Sequence, residues 1–144
     1  MILKSYLVEQ NINLLDKYFI TLIYGENIGM KDDIKDDIKK FFASYEKISF
    51  NQDEILKDPN IFDEQVDNTS LFSQKKIIFI NEVSDKIKNI LSEIVEKYKS
   101  DIKIFLFSQN LEKKSSIRKL LEKSKETCVV ACYQDNERTL SNYV

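Results

Sequence analysis

The chain has 144 residues, of which 42% are hydrophobic and 32% charged, with only two glycines and one proline. That length suits one domain, and that composition excludes a disordered or fibrous protein. Lys and Arg total 22 against 24 Asp and Glu, which gives a net charge of -2. DNA binding through phosphate contacts needs clustered positive charge, so no direct DNA binding is expected of this domain.

The sequence has no sign of a membrane or export segment. The N-terminal stretch MILKSYLVEQ contains no long apolar region, and no apolar run approaches the ~20 residues of a membrane span. We therefore expect a cytoplasmic protein with no membrane partner.

Four near-continuous apolar segments predict strands that are buried on both faces, as in a parallel sheet. They are residues 19–24, 76–81, 102–107 and 127–133. A shorter alternation at residues 47–50 predicts a fifth, weaker strand. The side chains expected in the core are Ile77, Phe79, Ile104, Leu106 and Val130.

Between the strands, apolar residues recur at helical spacing. The two clearest sets are Ile34, Ile38, Phe41, Phe42 and Tyr45, and then Ile87, Ile90, Leu91, Ile94, Val95 and Tyr98. Helix starts are predicted at Ser84, at Ser115 or Ser116, and at Asp58 followed by Pro59. Alternating strands and helices predict a three-layer α/β fold with a mostly parallel five-stranded sheet.

The two cysteines, Cys128 and Cys132, lie in one predicted strand. At that spacing they share a face about 13 Å apart, which is too far for a disulfide. The sequence has no histidine and no second cysteine pair, so a metal site is not expected. Both should be reduced core residues.

The first predicted strand leads into GENIGMKDD, at the position where a nucleotide-binding P-loop carries G-x-x-x-x-G-K-[ST]. Gly25 and Lys31 match the first glycine and the lysine. Met30, however, replaces the second glycine, and Asp32 replaces the hydroxyl that ligates Mg²⁺. The Asp32 carboxylate would also repel a triphosphate. This segment therefore predicts a loop that does not hold phosphate.

The strand IIFINE resembles a Walker B strand, which carries a magnesium-binding aspartate. Asn81 stands in place of that aspartate, and Glu82 follows it. A neutral amide is a weak ligand for Mg²⁺, so no nucleotide cofactor and no ATP hydrolysis are expected. No candidate nucleophile for another enzyme reaction is evident, because Ser70, Ser73 and Ser108 have no evident activating partner. Arg118 could reach a neighbour's nucleotide, but a surface arginine is the simpler interpretation.

Taken together, these segments resemble the delta subunit of bacterial DNA polymerase III, the clamp-opening member of the clamp loader. The likeness follows the chain through LIYGEN, TSLFSQKKIIFINEV, DIKIFLFSQNLEKKSSIRKLLEK and TCVVACY. It implies a degenerate AAA+ fold in the first domain and no use of ATP. It also implies no intrinsic polymerase chemistry, since DNA-directed DNA polymerase (nucleotidyltransferase) activity belongs to the DNA polymerase III holoenzyme.

In that family, a Ser-Leu-Phe element at the end of a helix inserts into a hydrophobic pocket of the sliding clamp, the beta subunit. The matching residues here are Ser70, Leu71 and Phe72. Clamp-binding peptides generally resemble Gln-Leu-Ser-Leu-Phe, so Asn68 and Thr69 depart from the pattern and bear on affinity. A Leu-Phe pair is a compact apolar anchor of the kind that dominates interface energetics.

The resemblance also implies a domain organisation. Residues 1–133 should form the degenerate AAA+ clamp-binding domain, and residues 134–144 should begin a connection to a following domain absent from this chain. In the family, that further part joins the other loader subunits. Two alternatives remain open: an active AAA+ ATPase subunit of the same loader, or an α/β protein-binding scaffold unrelated to replication. ATP binding would favour the first, and burial of Leu71 and Phe72 the second.

Overall fold

The computed structural model describes residues 1–67, 75–97 and 101–133. Its strands are β1 (Ile2–Lys4), β2 (Ile20–Tyr24), β3 (Glu46–Asn51), β4 (Lys76–Asn81), β5 (Ile102–Phe107) and β6 (Thr127–Ala131). Its α-helices are α1 (Ser5–Gln10), α2 (Ile28–Phe41), α3 (Gln52–Lys57), α4 (Pro59–Asp67), α5 (Lys88–Val95) and α6 (Ser116–Lys123). Within the described residues, 3-10 helices at Ile12–Lys17 and Asp85–Ile87 precede β2 and α5.

The six strands form one sheet in the order β1-β6-β2-β5-β4-β3, and every neighbouring pair is parallel. The predicted α/β architecture with a mostly parallel sheet is therefore confirmed. Because parallel strands end at the same edge, the ends of β2, β5 and β4 lie side by side. The residues that follow these three strands are thereby brought together.

Helices cover both faces of the sheet, which explains why β2, β4, β5 and β6 are mostly apolar and buried. One face packs against α1, the first 3-10 helix and α2, and the other against α3 to α6. Successive residues of a strand point to opposite faces, so Ile77 and Phe79 join the first layer and Ile78 and Ile80 the second. All five predicted core residues are at most 1% exposed.

The predicted number of strands was one too few, because β1 was missed. This strand has three residues, pairs with β6 from Ile2 opposite Val129 to Lys4 opposite Ala131, and forms an edge of the sheet. Its pattern carries little signal, since Ile2 is 61% exposed. A backbone hydrogen bond adds to the pairing of β1 with β6, because Val129 N donates to the Met1 carbonyl at 2.9 Å.

The helix starts agree with the predicted capping residues. Ser84 accepts a hydrogen bond from Lys86 N at the 3-10 helix, and Ser115 accepts one from Arg118 N at α6. α4 begins at Pro59, and the carboxylate of Asp58 accepts from Asn60 N at 3.2 Å.

One helix ends earlier than its apolar spacing predicts, because α2 stops at Phe41 while the pattern continues to Tyr45. The Lys47 ammonium donates to the carbonyls of Phe42, Ala43 and Tyr45, so these acceptors do not need a further helical turn. Tyr98, at the end of the other helical pattern, lies outside the described residues.

Both cysteines are free and buried, as predicted. Within residues 1–67, 75–97 and 101–133, no helix is long and apolar enough to cross a membrane.

Candidate functional site

The loop between β2 and α2 is too short for a phosphate cradle. Only residues 25–27 separate Tyr24 from Ile28, where α2 begins. The Asn27 side chain caps the helix by accepting from Met30 N at 3.1 Å. Met30 is thus already helical, and its side chain is buried in the core at 5% exposure. A P-loop needs these backbone amides free to surround phosphate.

Gly25 has a packing role at this loop. Its φ is +126°, and a Cβ added there would lie 2.0 Å from the carbonyl oxygen of Cys132. That same oxygen accepts from Asn27 N at 3.1 Å, and Cys132 N donates to the Tyr24 carbonyl at 2.7 Å. The glycine therefore lets the loop close against the end of β6.

The P-loop lysine is engaged within the protein. The Lys31 ammonium donates to the carbonyl oxygen of Ser108, just after β5, at 3.0 Å. The Ser108 hydroxyl donates to the Val83 carbonyl at 3.0 Å, so this serine is a buried structural residue. Asp32 is exposed beside the lysine.

The end of β4 is paired with a lysine that the sequence motif did not include. Lys35 Nζ donates to Asn81 Oδ1 at 2.8 Å and lies 4.8 Å from the ring centroid of Phe107. Burial lowers the pKa of Lys35, and the neighbouring Lys39 lowers it further. Glu82, the next residue along the chain from Asn81, has a positive φ of 57°, a conformation uncommon outside glycine.

These groups line one open cleft of about 320 Å³ at the strand ends. Of the predicted site residues it brings together Lys31, Asp32, Asn81 and Glu82, whereas Gly25 and Met30 do not line it. The lining contains the ammonium groups of Lys31 and Lys35 and the carboxylates of Asp32 and Glu82. The cleft therefore has no excess positive charge to bind a polyphosphate. In the part of the chain that the structure describes, no group of three His, Cys, Asp or Glu could hold a metal ion.

Sequence reasoning missed Lys35 at this cleft. Lys35 is four residues after Lys31 in α2, and residues four apart lie on the same helical face. That spacing could have predicted a second lysine over the ends of the strands, although not its partner.

Arg118 is not the surface residue that the simpler interpretation assumed. Its side chain is 13% exposed, and Nη1 donates to the Leu111 carbonyl at 3.1 Å. The guanidinium lies 5.0 Å from the centroid of the Tyr24 ring, and Nε is 3.6 Å from Glu122 Oε2. These contacts hold it against its own domain.

The predicted clamp-binding residues, which are Asn68, Thr69, Ser70, Leu71 and Phe72, lie outside the described residues. Both flanks are well anchored. In α4, Phe62 and Val66 are fully buried. At the start of β4, the Lys76 ammonium donates to the Gln65 carbonyl at 3.2 Å and to Gln65 Oε1 at 2.8 Å. The end of α4 is therefore tied to the start of β4.

Comparison with known proteins gives a family and a fold. A family model described as DNA polymerase III, delta subunit, matches residues 21–133. No curated protein matches significantly. Among solved structures, domain III of the Thermotoga maritima replication initiation protein DnaA is similar, with a TM-score of 0.52 and 13% identity. The match covers 94% of this chain and 63% of that chain. At this identity the similarity shows the fold alone.

Proposed function

Because this chain belongs to the delta subunit family of DNA polymerase III, a family of clamp-loader subunits, we propose that it binds the sliding clamp through Leu71 and Phe72. We further propose that this binding favours the open ring without ATP hydrolysis by this subunit. The observation that carries the proposal is the family match itself, which spans Ser70, Leu71 and Phe72 in its middle.

The anchored flanks support this assignment. Phe62 and Val66 bury one side of α4, and the bonds between Lys76 and Gln65 fix the start of β4 beside the end of that helix. A binding element on rigid supports loses less conformational entropy on association, which favours binding. Burial of Leu71 and Phe72 in a clamp pocket would contribute about 3–6 kcal/mol before association costs.

Ring opening follows from differential affinity. A ligand shifts a conformational equilibrium only to the extent that it binds one state more tightly than the other. The clamp ring is closed by non-covalent contacts, so a wedge that fits the open form better raises the population of open rings. No chemical energy from this subunit is needed for that step.

The geometry of the cleft supports the absence of nucleotide chemistry. α2 begins at Ile28, Met30 is buried, and both Lys31 and Lys35 already donate to protein oxygens. Binding of Mg²⁺·ATP should therefore be undetectable by calorimetry. A single restoration such as Asn81→Asp should not rescue it, because the loop and both lysines remain as they are. Magnesium-dependent ATP binding in the micromolar range would instead favour an active ATPase subunit.

The proposed partners are the beta subunit clamp and the other subunits of the clamp loader. Direct DNA binding by this domain is not proposed, because its charges are balanced and interleaved. Polymerase activity belongs to the DNA polymerase III complex and not to this subunit.

The test replaces the two anchors together, as Leu71→Ala with Phe72→Ala, and measures affinity for the cognate clamp. We expect at least a tenfold loss of affinity, because two apolar side chains are removed from the interface. The melting temperature should stay nearly unchanged.

A matched control is available in α1, where Tyr6 and Leu7 are 45% and 41% exposed. Replacing both by alanine truncates one aromatic and one aliphatic side chain, as the test variant does, in another part of the domain. Clamp affinity should then be unchanged. If the Leu71 and Phe72 variant keeps wild-type affinity, the pair is not the clamp contact and the proposal is wrong. If the variant loses fold stability instead, the pair belongs to the core, which also contradicts the proposal.

A further inference from the structure

The cleft at the strand ends contains a cation of its own. Lys35 Nζ lies 2.8 Å from Asn81 Oδ1, at the residue where a Walker B strand carries the carboxylate that binds Mg²⁺. An ammonium group attracts an amide oxygen electrostatically, as a metal cation does. We propose that the Lys35 ammonium replaces the metal ion of an ATP site and holds the end of β4 to α2.

The surroundings of Lys35 supply several partners for an ammonium group. Its ammonium lies 4.8 Å from the ring centroid of Phe107 and 5.8 Å from that of Phe79, within range of cation–π attraction to both. Burial and the like charge of Lys39 lower the pKa of Lys35, and the carboxylates of Asp32 and Asp36 partly offset them. The ammonium therefore has an amide oxygen and two aromatic rings as partners.

Lys31 adds a second tie one helical turn away. Its ammonium donates to the Ser108 carbonyl after β5, whereas Lys35 reaches β4. In ATP sites of this fold, the bound nucleotide and its metal link the helix after the loop to these strand ends. Here two lysines of one helix make those links from within the chain.

This inference rests on the proposal that the cleft takes no nucleotide, and it explains how the cleft stays ordered without one. The domain would then have a single arrangement of α2, β4 and β5 that does not respond to the nucleotide state. It also makes Asn81 a functional partner of Lys35 and not merely a lost aspartate.

A double-mutant cycle tests the pairing through thermal unfolding. Lys35→Met keeps most of the length of the side chain but removes the charge, and Asn81→Ala removes the acceptor. We expect Lys35→Met to lower the melting temperature by about 4 °C in the wild-type background. In the Asn81→Ala background the same change should cost about 2 °C less, because only the contacts with Phe79 and Phe107 remain to be lost.

Lys40→Met is the matched control, because Lys40 is exposed on the same helix. It should leave the melting temperature within about 1 °C of the wild type. If Lys35→Met costs the same with and without Asn81, Lys35 acts through packing and the proposal is overturned.

A second arm tests replacement of the metal directly, with Mg²⁺ alone as the probe. Lys35→Met combined with Asn81→Asp frees a carboxylate at the end of β4 beside Glu82. Millimolar Mg²⁺ should raise the melting temperature of this double variant by about 3 °C or more, because binding stabilises the folded state. Asn81→Asp alone should not respond, since Lys35 would already neutralise the new carboxylate.

An absent response in the double variant, or an equal response in Asn81→Asp, would overturn the proposal. Neither arm involves the clamp or ATP. The outcome is therefore distinct from a failure of clamp binding, which the Leu71 and Phe72 variant reports, and from nucleotide binding, which calorimetry reports.

Discussion

The two glycines of the chain have opposite roles, and substitution separates them. Gly25→Ala should destabilise the fold by at least about 3 kcal/mol, because φ is +126° and the new Cβ would meet the Cys132 carbonyl. Gly29 lies inside α2, where an added Cβ is 3.7 Å from its nearest neighbour. Gly29→Ala should therefore stabilise by about 0.5 kcal/mol through helix propensity. Urea unfolding measures the change in the free energy of unfolding for both variants. Equal changes in the two variants would contradict the assigned packing role of Gly25.

The two cysteines should be inert in the folded protein. Burial raises the pKa of the Cys132 thiol from 9.0 to about 12 and that of Cys128 from 9.0 to about 11. Because the thiolate is the reactive form, iodoacetamide at pH 8 should label neither until the chain unfolds in denaturant. The folded state holds these protons more tightly than the unfolded state, so the two thiols contribute a loss of stability as the pH rises above about 9. Rapid labelling of the native protein would contradict this account.

Asp85 stabilises a helix that begins thirty residues further along the chain. Its carboxylate accepts from Ser115 Oγ at 2.6 Å and from Ile117 N at 3.2 Å, at the start of α6. Burial raises the pKa of Asp85, but these hydrogen bonds outweigh it and the pKa is lowered. The carboxylate also lies at the positive end of the helix dipole.

Asp85→Asn should cost about 1 kcal/mol at pH 7, the usual value of a helix cap. The folded state binds a proton less readily than the unfolded state here, so the difference from wild type should shrink as the pH falls below the ordinary value of 3.8. Guanidinium unfolding across pH 2–7 measures this. Glu93→Gln, at an exposed position of α5, is the control and should show little change. A difference that is independent of pH would argue against the charged cap.

The elements that could be predicted from the sequence are those whose pattern is set by local burial. β4 and β5 have the predicted limits, because each is mostly apolar, buried along nearly its whole length and covered on both faces. β1 was not predictable, since three exposed or half-buried residues carry no alternation. The end of α2 was misplaced because Lys47, from a different element, satisfies the carbonyls there.

At the scale of the whole molecule, the sequence could show that the nucleotide motifs are altered but not what replaces them. Met30, Asp32 and Asn81 are visible as departures from a pattern. The pairing of Lys35 with Asn81 depends on α2 crossing the end of β4, which only the assembled fold provides. The two lysines thus turn an altered motif into an ordered cleft.

The central claim is that this domain binds the sliding clamp without needing nucleotide. Calorimetric titration of the cognate clamp into the chain, with and without Mg²⁺·ATP, tests it most directly. The account predicts the same dissociation constant in both conditions, because Leu71 and Phe72 supply the contact and the cleft takes no nucleotide. Binding that appears only with Mg²⁺·ATP, or no binding in either condition, would contradict it.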